Sequence, residues 1–255
     1  MRDIASPVLR EFRECLARRV DAGLPVTFWW RDDDLVASSD EFSRVTQLSR
    51  RTGILPLISV IPAEADPGLG CLAAEFPDIV FCQHGYAHLN HQVGDEPKSE
   101  FGEARGGAAV RADLAAGRER MELIFQGRHA PVFVPPWNRF SPEYAAILVD
   151  EMFSGFSGYH GEPAKPKHEK LRCVDVDIDV LNWNEPRAVI DIDKLITRLT
   201  GTISSADART EPFGILTHHR VINPQSWEAI EVVLSLVTAV PGAKWLSPRE
   251  LFSLE

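Results

Sequence analysis

Short apolar runs alternate with longer segments of helical periodicity along most of the chain. The first helical segment starts at Ser6-Pro7, a cap followed by proline at the first helical position, and stops at Gly23. The short runs are continuous apolar stretches, which are typical of strands buried on both faces of a sheet. Predicted strands cover residues 25–29, 54–61, 78–82, 131–134, 153–159, 171–180, 214–217 and 243–246. Predicted helices cover residues 6–23, 42–53, 69–76, 108–125, 191–204 and 227–240, with two more starting at 142 and 248.

About eight strands that mostly alternate with helices predict a parallel sheet covered by helices. No linker, shift in composition or internal repeat divides the chain, so residues 1–255 are predicted to be a single domain of the α/β class. We expect one (β/α) barrel, in which the active site lies at the carboxyl ends of the strands. An open, doubly wound sheet is the alternative, but no Gly-x-Gly-x-x-Gly turn supports it.

Composition narrows the class of protein. A chain of 255 residues with 44% hydrophobic residues can bury a full core, and its net charge of −10 argues against a nucleic-acid partner. The four cysteines are scattered without a Cys-x-x-Cys pair, which is typical of a reducing compartment. No apolar stretch precedes Arg10 and no run approaches eighteen apolar residues, so we expect neither a signal peptide nor a membrane span. The expected location is the cytoplasm.

Polar side chains with hydrolytic chemistry follow the predicted strands. They are Asp32 to Asp34, His84 to His91, Pro135 to Arg139, Asp177 with Asp179, Asn182 with Trp183, and His218 to Arg220. Because the residues beyond each strand of a barrel share one rim, these groups should converge. A carboxylate combined with two histidines is a common way to hold a catalytic zinc ion. The alternative for the acidic run is an exposed turn before a helix that Ser38 or Ser39 caps.

The same segments, in the same order, resemble the motifs of the polysaccharide deacetylase family, also called the NodB homology domain. The matching segments are Asp33-Asp34, His84-x-x-x-His88, Pro135-Pro136, Asn182-Trp183 and Leu216-Thr217-His218. The resemblance spans residues 25–220 and is nearest to cytoplasmic members rather than to secreted chitin or peptidoglycan enzymes. It implies a distorted (β/α) barrel and metal-dependent hydrolysis of an N-acyl group.

Under this resemblance, Asp34, His84 and His88 bind one divalent metal, zinc foremost, with nickel, cobalt or manganese as alternatives. His84 and His88 are expected one helical turn apart on one face, from which both can reach one ion. The alternative is a pair of histidines that are hydrogen-bonded within the core. His91 is either a further ligand or a solvent-facing residue of the loop.

The resemblance also implies that Asp33 is the general base and that His218 is the acid that protonates the leaving amine. Alternatively, Asp32 or Asp33 only offsets the charge of the metal. His219 should point away from the site if the strand continues, because side chains alternate along a strand. Asp177 or Asp179 is expected to orient His218, although either carboxylate could simply face solvent.

One position departs from the family pattern. The family usually has an arginine before the Pro-Pro segment, where it positions the base, and this chain has Val134. Arg31, two residues before Asp33, or Arg139 could take its place.

Substrate binding is expected at the Pro-Pro segment and at two polar loops. Trp137, Asn138 and Arg139 are the candidate residues. Of the four tryptophans near the motifs, one or two are expected at the site, where an aromatic face can stack on a sugar ring, and the others in the core. The loops cover residues 92–107 and 158–170, and the lysines of the second weakly favour an anionic substrate.

The sequence therefore predicts a metal-dependent hydrolase that removes an N-acyl group, N-acetyl foremost, from a carbohydrate or small amide. One alternative is a different metal-dependent C–N hydrolase on the same barrel, because fold alone does not determine the reaction. The other is a carbohydrate-binding pseudoenzyme without catalysis.

Overall fold

Helices surround one sheet of parallel strands. The computed structural model describes residues 6–162, 165–206 and 208–254, and these form a nine-stranded sheet. The strands are β1 Val26–Leu35, β2 Pro56–Val60, β3 Val80–His84, β4 His129–Val134, β5 Gly155–Phe156, β6 Arg172–Cys173, β7 Ile178–Asp179, β8 Phe213–Thr217 and β9 Ala243–Trp245. The helices are α1 Pro7–Asp21, α2 Asp40–Thr52, α3 Leu69–Glu75, α4 Gly107–Phe125, α5 Ala145–Asp150, α6 Ile192–Ser204, α7 Trp227–Thr238 and α8 Pro248–Phe252.

The sheet is a distorted barrel that one segment closes. The strand order is β6-β5-β4-β3-β2-β1-β8-β7, and β9 pairs with the start of β1. Between β6 and β7 the backbone changes partner: the Val176 N–H bonds to the Gly158 carbonyl at 3.0 Å, and the next N–H, of Asp177, bonds to the Gly214 carbonyl at 2.8 Å. Residues 172–179 therefore join the two open edges. The predicted barrel is confirmed, and the single strand predicted over 171–180 is wrong, because this segment breaks into β6 and β7.

Side chains alternate between the inside of the barrel and the helical layer. Trp29 packs inside with residues such as Leu57 and Leu216, whereas Phe28 and Trp30 face the helices. The opposite end of the barrel from the carboxyl ends of the strands is filled by α8, whose Phe252 contacts the Trp29 ring edge-on. The carboxyl end is thus the rim left for polar side chains.

The helix caps follow from sequence. The Ser39 hydroxyl accepts a hydrogen bond from the Phe42 N–H at 3.1 Å, so Ser39 caps α2, one of the two serines predicted for that role. Gly53 ends the helix with a φ of 72°, a conformation that glycine adopts without strain. None of the described helices is long and apolar enough to cross a membrane. The N-terminal residues 1–5, on which the signal-peptide expectation partly rests, lie outside the described residues.

The first strand is longer than predicted. It runs to Leu35 rather than ending near residue 29, so the three aspartates lie within the strand and not in a turn beyond it. Asp32 and Asp33 are fully buried, and both are hydrogen-bonded to neighbouring strands. Partners supplied by distant segments offset the cost of burying charge, and sequence periodicity does not reveal such partners. The exposed acidic turn considered as an alternative is wrong.

Candidate metal and acid–base site

The end of β1 presents two consecutive aspartates to the rim. Arg31 and Asp33 point into the barrel because they are two residues apart on the strand. At Asp34 the backbone has a φ of 74°, and the register with β2 shifts between Asp32 and Leu35. This bulge redirects the Asp34 side chain toward β3, so that Asp33 and Asp34 both serve the same site.

Asp34, His84 and His88 come together as the sequence predicts. The Nε2 atoms of His84 and His88 lie 3.2 Å and 3.5 Å from the Asp34 Oδ1 atom. The Nδ1 atom of His84 is 3.0 Å from the Val134 carbonyl oxygen, which fixes the proton on Nδ1 and leaves the Nε2 lone pair free. Three potential ligand atoms therefore converge at one point.

The histidines do not share a helix face, so this part of the prediction is wrong. His84 is the last residue of β3, and His88 lies in the following loop with a φ of 55°. Gly85 turns the chain with a φ of 58°, and a Cβ atom there would lie 2.1 Å from the Glu100 Oε2 atom. The loop, not a helical turn, brings His88 back to His84.

Glu100 holds the backbone of that loop in place, a role that the sequence did not predict. Its fully buried carboxylate accepts hydrogen bonds from the N–H groups of Tyr86 at 3.1 Å and Ala87 at 2.8 Å. Burial raises the pKa of Glu100 above its ordinary value. No spacing in the sequence connects Glu100 with the histidine loop, because the two are joined only by the path of the loop 92–107.

The donor set suits a divalent metal. Two ligands about 2.0–2.1 Å from a zinc ion in tetrahedral geometry are about 3.3 Å apart, which is close to the separations found here. The Asp34 Oδ1 atom is buried and receives no hydrogen bond, as expected of an atom that awaits a cation. Burial opposes ionisation of Asp34, but the close approach of His84 and the other nearby histidines holds its pKa well below the usual range. Burial and His84 lower the pKa of His88, which favours the neutral form that binds metals.

Asp33 is buried beside this cluster. It accepts hydrogen bonds from the Ser59 hydroxyl at 2.5 Å and from the Arg31 guanidinium at 3.0 Å. Burial favours its neutral form, but the charge of Arg31, together with the nearby histidines, lowers the pKa of Asp33 below its ordinary value. Ser59 was not predicted, although a lone polar residue in the apolar run 54–61 is a signal that could have found it.

Arg31, rather than Arg139, contacts the candidate base. Its side chain is fully buried and also donates to the Ser157 hydroxyl at 2.7 Å and to the side-chain amide oxygen of Asn138. Arg139 is turned away and lies 3.4 Å from the Glu162 carboxylate. Of the two arginines that could replace the family residue at Val134, the structure therefore places Arg31 on Asp33.

The Pro-Pro segment bends sharply over the histidines. Trp137 and Asn138 have φ values of 55° and 60°, which are uncommon for residues other than glycine. The Trp137 ring lies 4.4 Å from the His88 ring between centroids. Asn138 uses its side-chain oxygen to bind Arg31, so only its amide N–H groups remain for a substrate. Four of the seven described non-glycine residues with positive φ lie in this site, namely Asp34, His88, Trp137 and Asn138, and strained backbone commonly clusters at functional sites.

His218 lies on the same rim with Asp179 behind it. The His218 Nδ1 atom is 3.6 Å from the Asp179 Oδ2 atom, which also accepts a hydrogen bond from the Trp183 indole at 2.7 Å. Burial lowers the pKa of His218, but the charge of Asp179 and the site carboxylates outweigh it and raise the pKa to about 9. Asp177 does not take part, because it is bound by Arg209 and by the Gly214 N–H.

The tryptophans divide between site and core. Trp183 is 54% exposed, and its ring lies edge-on to His218 with centroids 4.9 Å apart. Trp137 contacts His88, while Trp29 and Trp30 are fully buried in the core. Two tryptophans at the rim agree with the expectation of one or two.

His219 and Asp32 lie on the other side of the sheet. The His219 Nδ1 atom is 2.5 Å from the Asp32 Oδ1 atom, and the His219 ring packs against Phe42 of α2. Asp32 therefore does not face the candidate metal ligands, and His219 points away from them as alternation predicts.

Two further expectations concern the loops. His91 is exposed and lies near Glu100 and Asp113 rather than near Asp34, and Asp113 is already paired with Arg105 at 2.5 Å. In the loop 158–170, Lys165 pairs with Asp175, which neutralises part of the positive charge that favoured an anionic substrate. Residues 163 and 164 of this loop lie outside the described residues.

Comparison with solved structures establishes the fold. The chain is similar to a family 4 carbohydrate esterase from Streptomyces lividans in complex with acetate, at 16% identity and a TM-score of 0.54, covering 87% of this chain and 91% of that one. It is also similar to a peptidoglycan N-acetylglucosamine deacetylase, at 13% identity and a TM-score of 0.56, covering 91% and 90%. A third similar structure is a mutant of a family 4 pseudoenzyme with restored activity, at 14% identity and a TM-score of 0.59, covering 90% and 68%. The chain has the fold of the family 4 carbohydrate esterases.

No family model matches the chain, and no curated protein matches it significantly.

Proposed function

We propose that the protein is a metal-dependent deacetylase that hydrolyses an N-acyl group on a sugar or small amide. One observation carries the proposal: a three-donor cluster of Asp34, His84 and His88 lies beside a buried aspartate and a buried histidine. Asp33 and His218 have opposite protonation preferences, since the pKa of the first is lowered and that of the second is raised. Groups with pKa values pushed apart are typical of an acid–base pair.

The candidate ligands are Asp34, His84 and His88, with the remaining positions open to water and substrate. A divalent metal bound there supplies an electrophile that lowers the pKa of water and polarises an acyl oxygen. Trp137 covers one side of His88 and limits the approach of solvent from that side.

Asp33 is the proposed base. It is ionised because Arg31 and Ser59 stabilise its carboxylate, and it adjoins the ligand Asp34. It accepts a proton from the attacking water. Arg31 is itself held by Ser157 and Asn138, so the carboxylate has a defined orientation.

His218 is the proposed acid. The leaving nitrogen of an amide must be protonated before the C–N bond breaks, because an amide anion is a poor leaving group. A histidine that Asp179 keeps protonated at neutral pH supplies this proton from the rim. An ester needs such an acid less, since an alkoxide leaves more readily, so the raised pKa favours an N-acyl substrate.

The structural relatives support the same class of reaction. One is named for the removal of acetyl groups from N-acetylglucosamine in peptidoglycan, and another holds acetate. We propose an N-acetylated carbohydrate or small amide as the substrate, with Trp137 and Trp183 as stacking surfaces for a sugar ring.

A pseudoenzyme that binds carbohydrate is the second candidate, because one similar structure is a mutant of a family 4 pseudoenzyme. Against it, binding alone requires neither a base with a lowered pKa nor an acid with a raised one.

The test is release of acetate or formate from a panel of N-acyl sugars, nucleotide-sugars and small amides. The wild type should turn over at least one substrate, lose activity on chelation and regain it with zinc or cobalt. Asp33→Asn and His218→Ala should each lower kcat by about 10²–10⁴-fold with unchanged metal content. His129→Ala, at the start of β4 on the opposite end of the barrel, is the matched histidine control and should keep its kcat. A metal-loaded wild type that binds sugars but releases no acid would favour the pseudoenzyme.

A further inference from the structure

A buried hydrogen bond connects β1 to His219, two residues beyond the end of β8, on the helical side of the sheet. It joins the Asp32 Oδ1 and His219 Nδ1 atoms at 2.5 Å, with side-chain exposures of 0% and 1%. Neither residue faces the candidate metal ligands, and the proposed reaction uses neither. Burying two polar side chains costs more than burying two apolar side chains of similar size, even when the polar atoms are hydrogen-bonded to each other. Stability alone therefore does not explain it.

The two residues of the pair are sequence neighbours of the proposed base and the proposed acid. Asp32 immediately precedes the proposed base Asp33, and His219 immediately follows the proposed acid His218. In the sheet, Asp32 lies opposite Thr217 on the neighbouring strand β8. The bond thus connects the backbones of the base and the acid, one residue away from each.

The rest of the environment leaves the pair little freedom. The second oxygen of Asp32 accepts a hydrogen bond from the Thr217 hydroxyl at 2.5 Å, and that hydroxyl accepts one from the Trp30 indole at 2.9 Å. The edge-on contact of His219 with Phe42 restrains the imidazole from the helical layer. Both oxygens of Asp32 are therefore satisfied, one by Thr217 of β8 and the other by His219, two residues beyond that strand.

We propose that Asp32 and His219 are positioning residues, which fix the distance between the base and the acid from behind the sheet. This inference rests on the proposed function. A displacement of a catalytic group by about 1 Å can cost about 10²-fold in rate, so a clamp on both strands has a measurable consequence.

The test compares variants that remove the bond with variants that preserve it. Asp32→Leu and His219→Leu remove one partner each, and the double variant replaces the hydrogen-bonded pair with an apolar one. Asp32→Asn can still accept the bond, and His219→Asn places an amide N–H near the position of Nδ1. Ser49 of α2 donates a buried hydrogen bond to the Ile54 carbonyl at 2.8 Å, and Ser49→Ala, which removes it, is the control for a general loss of stability.

We expect each leucine variant and the double variant to lower kcat by about 10-fold to 10²-fold, while KM and metal content change less than twofold. The double variant should fold at least as stably as either single variant and still be slow, which separates positioning from stability. The asparagine variants should recover most of the lost kcat, and Ser49→Ala should keep it.

Two outcomes overturn the clamp alone: an active wild type whose double leucine variant keeps its kcat, or a Ser49→Ala variant that loses as much kcat as the leucine variants. A wild type without turnover overturns the proposed function and, with it, the clamp.

Discussion

Three consecutive aspartates occupy three different environments, and strand geometry is the cause. Asp32 faces the helices and binds His219, while Asp33 faces the barrel and binds Arg31. Asp34 would face the helices in a regular strand, but its positive φ directs it to the histidines. Each carboxylate has a different partner, so the like charges do not share one environment. Arg31 and His219 hydrogen-bond two of the three carboxylates, and Asp34 is the proposed ligand of a cation.

At this scale we predict that Asp179→Asn shifts the pH dependence of the reaction. Burial lowers the pKa of His218, but Asp179 foremost, with Asp33 and Asp34, raises it to about 9, so the acid form is present at neutral pH and is lost as the pH rises through about 9. Removing this charge lowers the pKa, and the alkaline limb of the kcat profile should move to lower pH by about 1–3 units.

The measurement is kcat from about pH 6 to pH 10 with saturating substrate and metal. This range spans the ordinary pKa of a histidine and the raised pKa of His218. Asp193→Asn, which changes an exposed carboxylate in the first turn of α6, is the control and should leave the limb in place. An unmoved limb in Asp179→Asn would mean that another group titrates there.

At the scale of the element, the loop after β3 determines whether the two histidines meet. Its path depends on Gly85, which has a positive φ and packs against Glu100 and Pro136. The buried Glu100 carboxylate then holds the N–H groups of Tyr86 and Ala87. Support of this kind, behind the ligands, commonly changes metal affinity by about 10-fold to 10²-fold.

We predict that Gly85→Ala weakens zinc binding by at least about 10-fold, because the new Cβ would lie 2.1 Å from Glu100 and 2.5 Å from Pro136 and displace the loop. Competition with a chromogenic chelator measures the affinity directly, without reference to activity. Gly94→Ala is a matched control: Gly94 also has a positive φ, of 64°, but nothing lies within 4 Å of its Cβ position. Equal affinities for the two variants would remove the role assigned to the close packing at Gly85.

At the scale of the whole molecule, the two ends of the barrel differ: one carries the polar candidate site and the other is filled by apolar packing. The carboxyl end carries the polar site, and the other end is filled by α8, whose capping box at Ser247 and Glu250 starts the helix. Phe252 lies between Trp29 inside the barrel and Gly155 of β5. Stability and chemistry should therefore respond to different substitutions.

We predict that Phe252→Ala lowers the free energy of unfolding by about 3–5 kcal/mol, because it leaves a cavity in the base of the barrel. The kcat per folded molecule should change little, since the proposed metal ligands lie at the opposite rim. Urea denaturation measures the free energy of unfolding. Turnover at low temperature, divided by the number of metal-loaded sites, measures kcat per folded molecule. Leu123→Ala, at a side chain that is 68% exposed, should change stability by no more than about 0.5 kcal/mol.

The sequence by itself determined the alternation of strands and helices, most helix ends and the residues at the candidate site. These depend on local rules: apolar periodicity, Ser-Pro and glycine caps, and the placement of polar residues after apolar runs. Asp34, His84 and His218 could be predicted to share a rim because parallel strands of a barrel all end there.

Only the tertiary structure decided which neighbour each polar side chain contacts. Choosing Arg31 over Arg139 for the base, and Asp179 over Asp177 for the acid, depends on contacts between segments far apart in the chain. The bulge at Asp34, the loop that replaces the expected helical turn at His88, and the split of residues 171–180 between two partners are likewise set by strand register. Register and closure depend on the packing of the whole barrel, and no local stretch of sequence carries that information.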